Sequence, residues 1–428
     1  MAPGRVGVVG GGLAGLSAVL SLKQAGYDVH LFERSRLLGG KATSFSVGGV
    51  EVDNGQHVIL ACCTEFIDFV QQVERRDGIG EPLLRLQRRF QATILQPGGD
   101  TQLREFPLPA PLHLAASLAR FSAVAPGDRL AIARAVLAAR HPARDGETFA
   151  AWLDRHGQTV AARRAFWEPF LVPALNAPLD RVGARDALFV ITTAFLRAGA
   201  ARFGFCRVPL GEIAERAGHA ADRVVRRAPV TGVEETAGHV SGLRVAGHLE
   251  HFDAVVLAVP PARLASLLGE PERFGVHGLD RFQTAPIVDV HLWYDRPLGL
   301  DFAAVLDSPA QWVFEKAPGY LCCSMSAADK YVSWKSEDLV DLCREELARV
   351  LPALRTAGFR HGAATRDRDA TFIPLPGLPR PGPRTAVQGL VLAGSWTDTG
   401  WPATMESAVR SGRAAARSLI SQLGEIDG

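Results

Sequence analysis

Gly10, Gly12 and Gly15 stand in the spacing Gly-x-Gly-x-x-Gly, and Glu33 follows Gly15 by 18 residues. These residue types in this order suit a bound dinucleotide. Gly10 permits a tight turn, Gly12 lets the backbone approach a pyrophosphate with no Cβ between them, and Gly15 permits close packing of a helix on a strand. Leu13 and Ala14 open that helix, whose unpaired N–H groups and partial positive charge would face the phosphates. Glu33 is placed to accept hydrogen bonds from ribose hydroxyls, and Arg34 beside it completes this set of cofactor-binding candidates.

The elements that must hold these residues are legible around them. Residues 5–9 read as a short buried strand, 13–25 as a helix stopped by Gly26, and 29–32 as a second strand ending at Glu33. A glycine fingerprint alone is a weak signal. A strand before it, a helix after it and an acid at the right distance make it specific.

Further motifs lie outside this unit. Leu38-Gly39-Gly40-Lys41-Ala42 is a Gly-Gly turn with a cation, followed by Val52-Asp53-Asn54-Gly55-Gln56-His57. Near the other end, 389–393 reads as a strand, then Gly394-Ser395-Trp396-Thr397-Asp398-Thr399-Gly400-Trp401-Pro402-Ala403-Thr404, and a helix starts near Thr404 and Met405. Ala228-Pro229-Val230-Thr231-Gly232-Val233 and 253–261 form a middle segment. With these residues the chain resembles the FAD-dependent amine oxidase and phytoene desaturase superfamily. With Asp53 to Val58, Cys62-Cys63-Thr64, Trp167-Glu168-Pro169, Leu175-Asn176 and Trp396 to Gly400, it is similar along nearly its full length to the hydroxysqualene dehydroxylases, the squalene-associated FAD-dependent desaturases.

The resemblance implies FAD as cofactor. It places Gly40 and Lys41 at the pyrophosphate, with Lys41 where the superfamily has Arg, so a charge is kept but the bidentate fork is lost. It gives Val230 the adenine edge through backbone groups. Gly394 and Ser395 would approach the ribityl chain, where relatives have Gly-Asp. Ala403, Thr404 and Met405 would aim a helix N-terminus at the flavin pyrimidine and stabilise negative charge on the reduced ring. Asp53 would support a loop that carries Gln56 and His57 to the flavin face. His57 is then a candidate proton donor or partner of the substrate oxygen, or a satisfied structural histidine. Asp398 is a second candidate acid, or a loop cap. Trp401 would line the flavin face, and Glu168 and Asn176 are either polar tunnel residues or core hydrogen-bonding groups.

The implied fold is α/β: a two-domain FAD-dependent oxidoreductase with a discontinuous Rossmann-like FAD domain over 1–75, 205–268 and 365–428, and a mixed α+β substrate domain over 76–204 and 269–364. The first substrate piece reads as mostly helical, over 112–121, 129–139, 149–156, 158–166 and 187–198. The second contains a strand over 287–294 and then mixed structure.

The implied reaction is reductive removal of the allylic hydroxyl of hydroxysqualene, giving squalene for hopanoid or triterpenoid synthesis. The leaving oxygen is protonated and hydride comes from N5 of the reduced flavin. A hydrocarbon with one hydroxyl offers little to grip, so the protein must supply a proton donor, a dry apolar tunnel and a rigid flavin. The alternatives are a carotenoid-type (phytoene) desaturase, an amine oxidase, and a flavin-free lipid or prenyl-group binder on the same fold.

Composition sets bounds on partners. The 428 residues exceed one typical core, and 47% hydrophobic with 21% charged residues suits a globular protein. A net charge of +2 gives no field for nucleic acid. No run reaches the roughly 18 apolar residues of a membrane span. The stretch 106–119 is uncharged and carries three prolines, so 106–121 is a candidate surface for peripheral membrane contact, or a buried helix. The apolar start, 5–22, is better explained by a cofactor loop than by a signal peptide. Of six cysteines, four sit in two adjacent pairs, and no Cys/His spacing suggests a metal. Reduced thiols and a cytoplasmic location, with contact at the inner face of the cell membrane, are therefore expected.

Overall fold

A computed structural model describes residues 4–424. Its first sheet is parallel and has five strands, in the order Arg223–Val225, Asp28–Phe32, Arg5–Val9, Ala254–Leu257 and Leu390–Leu392. These strands are mostly apolar because both faces of the sheet are covered, one by the helices Leu13–Gln24 and Met405–Gly424 and the other by a three-stranded antiparallel sheet that brings Val240, Leu243 and Val245 against it. Val6, Val8, Leu31, Val255, Val256 and Val391 are fully buried. The strands come from three separated stretches of chain, so residues at the two ends and in the middle share one sheet.

Two glycines have steric reasons visible in the fold. Gly10 has φ +107°, and a Cβ there would lie 2.3 Å from the Ala258 carbonyl oxygen. A Cβ at Gly15 would lie 1.9 Å from the Gly10 oxygen, so the helix Leu13–Gln24 sits on the turn as closely as the spacing predicts.

The last helix, Met405–Gly424, packs on the first. A Cβ at Gly412 would lie 2.1 Å from the Ala14 oxygen and 2.9 Å from the Ala18 nitrogen. Ser17 Oγ donates to the Val409 carbonyl at 3.0 Å across the same contact. The two ends of the chain are thus joined with backbone nearly touching backbone.

The second body is built on a seven-stranded sheet, in the order Phe359–Phe372, Thr284–Tyr294, Tyr320–Ser326, Trp312–Ala317, Phe302–Val305, Gln91–Gln96 and Gly99–Arg104. The piece 76–204, expected to be mostly helical, therefore contributes a hairpin to this sheet, and a third strand, Leu84–Leu86, pairs with Phe203–Cys206 in a separate small sheet. The missed signal is the Gly98-Gly99 turn, followed by inward Thr101 and Leu103 between exposed neighbours, a period of two. The helices of this piece, including Pro126–Ala138, Phe149–Arg155, Glu168–Leu175 and Ala184–Val190, form a layer around Phe121, Phe149, Trp152 and Trp167. Two of the expected helices widen into π-helical turns, at Arg163–Trp167 and Ile191–Phe195. Asn176 ends its helix in the left-handed region at φ 48° and donates to the Ala285 oxygen and Thr371 Oγ1, both at 3.0 Å, while accepting from the Ala327 N–H at 2.7 Å. It ties the helical layer to the sheet, which is the core hydrogen-bonding role rather than a tunnel role.

Replacing Gly412 by Val is expected to destabilise the protein by about 2 kcal/mol or more, because the contact cannot open without parting the first and last helices. Urea unfolding of the variant measures this.

Candidate cofactor cradle and active site

The phosphate loop and the Gly-Gly turn meet. Gly39 N–H donates to the Gly11 oxygen at 2.8 Å, and Gly12 and Gly39 pair as a parallel bridge. Glu33 is buried and holds this corner: Oε2 accepts from the Gly11 N–H at 2.8 Å and Oε1 from the Ser35 N–H at 2.7 Å. Ala228 N–H donates to the Glu33 carbonyl at 3.1 Å, which brings the middle segment and buried Val230 beside it. Arg263 donates to the Val230 oxygen at 2.8 Å. Arg34 is exposed at the end of the second strand.

The protein's own packing does not require glycine at position 12. Its φ of −76° and ψ of 175° suit any residue, and a Cβ there would approach nothing closer than 3.9 Å. The helix it opens has no side-chain cap and no acid in its first turn. Leu13 and Ala14 are buried, so they offer backbone N–H groups and no polar side chain. These are the surroundings of an approaching anion, and they fit a dinucleotide pyrophosphate. Lys41 reaches elsewhere: its ammonium lies 3.3 Å from the Asp367 carboxylate and bonds the Asp369 carbonyl. It ties the turn, including exposed Gly40, to the strand Phe359–Phe372.

The C-terminal loop is gathered by a residue that spacing did not reveal. Arg380 donates to the carbonyls of Ser395 at 2.8 Å, Trp401 at 2.6 Å, Trp396 at 3.2 Å, and Thr397. One guanidinium thus binds four carbonyls of a loop with no regular partner of its own. Arg380 lies between prolines in an irregular segment, where neither period nor motif marks it. Gly394 N–H donates to Ser411 Oγ at 2.9 Å, and Thr404 Oγ1 accepts from the Ser407 N–H at 3.2 Å, capping the last helix over Met405. Ser395 and Ala403 are half-buried on either side of this loop. The Trp401 ring meets Phe189 of the helical layer edge-on at 5.0 Å. Asp398 is exposed and its carboxylate accepts from the Gly400 N–H at 3.3 Å, the geometry of a loop cap.

Asp53 supports the loop after it. Its Oδ1 accepts from Ser44 Oγ at 2.7 Å and from the Leu210 N–H at 2.8 Å. Gln56 Nε2 donates to the His57 oxygen at 3.1 Å, and His57 Nε2 lies 3.1 Å from the Asn54 oxygen. Both side-chain donors therefore point at carbonyls of their own loop. Burial lowers the His57 pKa, opposed by Asp53, so the imidazole is neutral at pH 7.

The sheet beneath this loop carries a residue absent from the sequence expectations. Along Thr284–Tyr294, Val288, Val290, Leu292 and Tyr294 pack with the helix Ser336–Val350. By alternation Asp289, His291 and Trp293 take the other face, where Val52 packs on Trp293 and Tyr320. Asp289 is 2% exposed, and its Oδ1 accepts from the Gln56 N–H at 3.3 Å. Burial pushes this carboxyl up to about 6. His291 lies 2.8 Å from Tyr320 Oη and 3.2 Å from Thr365 Oγ1, and burial drives it down to about 4. The available signal for Asp289 was a lone acid in the apolar run Ile287 to Tyr294, two residues before a histidine.

An apolar crevice opens in the helical layer, lined by Val136, Phe166, Trp167, Phe170, Ile191 and Phe195. Both π-helical turns supply its walls, since each wide turn displaces side chains from regular helical positions. Glu168, next to it in sequence, is half-buried, and burial raises its pKa.

Replacing Arg380 by Ala leaves four loop carbonyls without their charged donor, each such bond being worth about 1.5–3 kcal/mol. FAD titration followed by flavin fluorescence is expected to show about tenfold or greater weakening.

The family of flavin-containing amine oxidoreductases matches residues 13–420. The hydroxysqualene dehydroxylase of Rhodopseudomonas palustris is 30% identical over 97% of this chain and 98% of its own length. That of Sinorhizobium fredii is 28% identical over 98% and 99%. Among solved structures, cyclohexylamine oxidase from Brevibacterium oxydans superposes with a TM-score of 0.74 at 16% identity, covering 99% of this chain and 100% of that one. The glycine cradle, the buried Glu33 and the capped C-terminal helix are therefore those of an FAD-dependent oxidoreductase, and the chain belongs to the flavin-containing amine oxidoreductase family, with hydroxysqualene dehydroxylases among its relatives along nearly its whole length.

Proposed function

We propose that this enzyme removes the allylic hydroxyl of hydroxysqualene reductively and releases squalene for hopanoid or triterpenoid synthesis. The observation that carries this reading beyond the family is the near-full-length likeness to hydroxysqualene dehydroxylases; the narrow crevice walled by Phe166, Trp167, Phe170 and Phe195 agrees with it, offering apolar contact and no charged side chain. A long hydrocarbon suits such walls, and an amine does not. When bound in its reduced form, FAD supplies the hydride that replaces the hydroxyl. The protein's part is to exclude water from the allylic carbon, orient the C–O bond and protonate the leaving oxygen. The Gln56–His57 loop takes the position beside that oxygen, with the His57 ring as its hydrogen-bond partner once Nε2 exchanges the Asn54 carbonyl for it. Asp398 serves as the cap of the flavin-side loop.

A carotenoid-type desaturase uses the same apolar walls but draws hydride from its substrate. The two readings separate in one experiment. Anaerobic holoenzyme, reduced chemically and mixed with hydroxysqualene, is expected to reoxidise with formation of squalene, identified by mass spectrometry. Reduced flavin that persists with no squalene formed overturns the reading.

We also propose that the substrate enters from an anionic lipid surface at the inner face of the cell membrane. Among the described residues, no helix is long and apolar enough to cross a membrane. Of the seven exposed large hydrophobic residues among the described ones, five, Leu108, Leu112, Leu130, Leu137 and Val160, lie in the piece that carries the helical layer. Leu130 and Leu137 are two turns apart on one face of the helix whose Val136 lines the crevice. Residues 104–144 carry six arginines against Glu105 and Asp128, an excess of basic charge suited to acidic headgroups. Exchanging both Leu108 and Leu112 for Asp is expected to lower flotation with phosphatidylglycerol vesicles about tenfold while flavin content stays unchanged. Equal flotation of the two proteins refutes the contact.

A further inference from the structure

The proposed reaction needs a proton donor, and the carboxyl groups around the Gln56–His57 loop differ in how they are occupied. Asp53 accepts from Ser44 and from the Leu210 N–H. Asp367 pairs with Lys41. Glu406 is buried on the Glu65 and Phe66 N–H groups and pairs with Arg410 at 2.7 Å. Asp398 is exposed on Gly400. Asp289 has no cation in hydrogen-bond contact and sits in the floor directly under the loop.

Its geometry relative to His57 is specific. Gly55 has φ +94°, and a Cβ built on it would lie 3.6 Å from Asp289 Oδ2 and 3.8 Å from His57 Nε2. The absent side chain leaves room for one small group beside a carboxyl oxygen and an imidazole nitrogen. We propose that the leaving oxygen of the substrate occupies this space and that Asp289 is the general acid that protonates it. This assignment rests on the proposed dehydroxylation and names the donor for it.

The step balances as follows. The allylic C–O bond breaks and its electron pair leaves with oxygen. That oxygen takes the Asp289 proton and departs as water. The carbon accepts hydride from the reduced flavin, which is thereby oxidised by two electrons, and the Asp289 carboxylate regains a proton from solvent. The groups that face Asp289 set its proton affinity. Gln56 and His57 lie above it. Cys322 Sγ at 3.9 Å, Ser324 and Tyr320 come from the neighbouring strand, Thr365 lies opposite on the other side, and Lys316 acts from a distance. Burial is the largest influence and holds the proton on up to about pH 6. Because this carboxyl is raised, the active form is the low-pH form and is lost as pH rises through that value.

The test uses prereduced holoenzyme and its Asp289→Asn variant, which keeps the shape and an acceptor for the Gln56 N–H. Wild-type reoxidation by hydroxysqualene is expected to fall as pH rises through about 6, and the Asn variant to be slower on the order of 100-fold or more with no such limb. Infrared difference spectra across the same pH range are expected to show a protonated-carboxyl band in the wild type that Asp289→Asn lacks. A variant that turns over at the wild-type rate overturns the assignment, as does a missing band in the wild type. Wild-type enzyme that hydroxysqualene fails to reoxidise sinks the substrate reading instead, and the donor role with it. Should the Asn variant lose its flavin, Asp289→Glu carries the test: a retained acid limb with a shifted midpoint supports the role, and an unshifted one overturns it.

Discussion

The contact between the first and last helices is the constraint on which the rest depends. Ala14 and Gly412 approach so closely that even one Cβ would collide. That approach fixes the helix opening at Leu13 against the helix opening at Met405, and each carries a loop at its N-terminus. One is the glycine-rich turn and the other is gathered by Arg380. Neither loop has a regular ladder of hydrogen bonds, so their mutual position comes from the rigid pair behind them. A dinucleotide as long as FAD needs both loops in register, which explains why backbone contact is used there in place of flexible side chains.

Burial governs the chemistry at the other side of the cradle. The same desolvation lowers His57 and His291 and raises Asp289, and in each case it favours the uncharged form. The uncharged forms of Asp289 and His291 are thereby favoured on one face of the seven-stranded sheet, under the Gln56–His57 loop. Uncharged groups hold water less tightly than charged ones, so such a face is easier to keep dry. The single Lys41–Asp367 pair lies on the exposed margin, where water screens it.

The sequence reading succeeded where local steric or chemical demands are strong. Gly10 and Gly15 have no tolerable side chain, and Glu33 sits at a fixed distance along a strand–helix–strand unit, so type and spacing carried the cofactor motif. It failed where long-range pairing decided the outcome. The hairpin at Gln91–Gln96 and Gly99–Arg104 gains its sheet neighbour from Phe302–Val305, some two hundred residues later. Arg380 lies in an irregular segment and reveals its purpose only against the carbonyls it collects. Asp289 looked like one polar residue in a strand until the fold placed Gln56 over it.

The sequence by itself therefore determined the dinucleotide loop, the acid that follows it, the C-terminal loop and helix, and the likeness to flavin-dependent relatives. These are short-range patterns, written within a few dozen residues by backbone sterics and helix geometry. Only the tertiary structure decided that Lys41 turns to Asp367, that Asp398 caps a loop at the surface, and that Asn176 ties the helical layer to the sheet. It also brought Asp289 and His57 together at Gly55. Those outcomes depend on which distant segments share a dry interior, and desolvation acts on a group only once the fold has enclosed it.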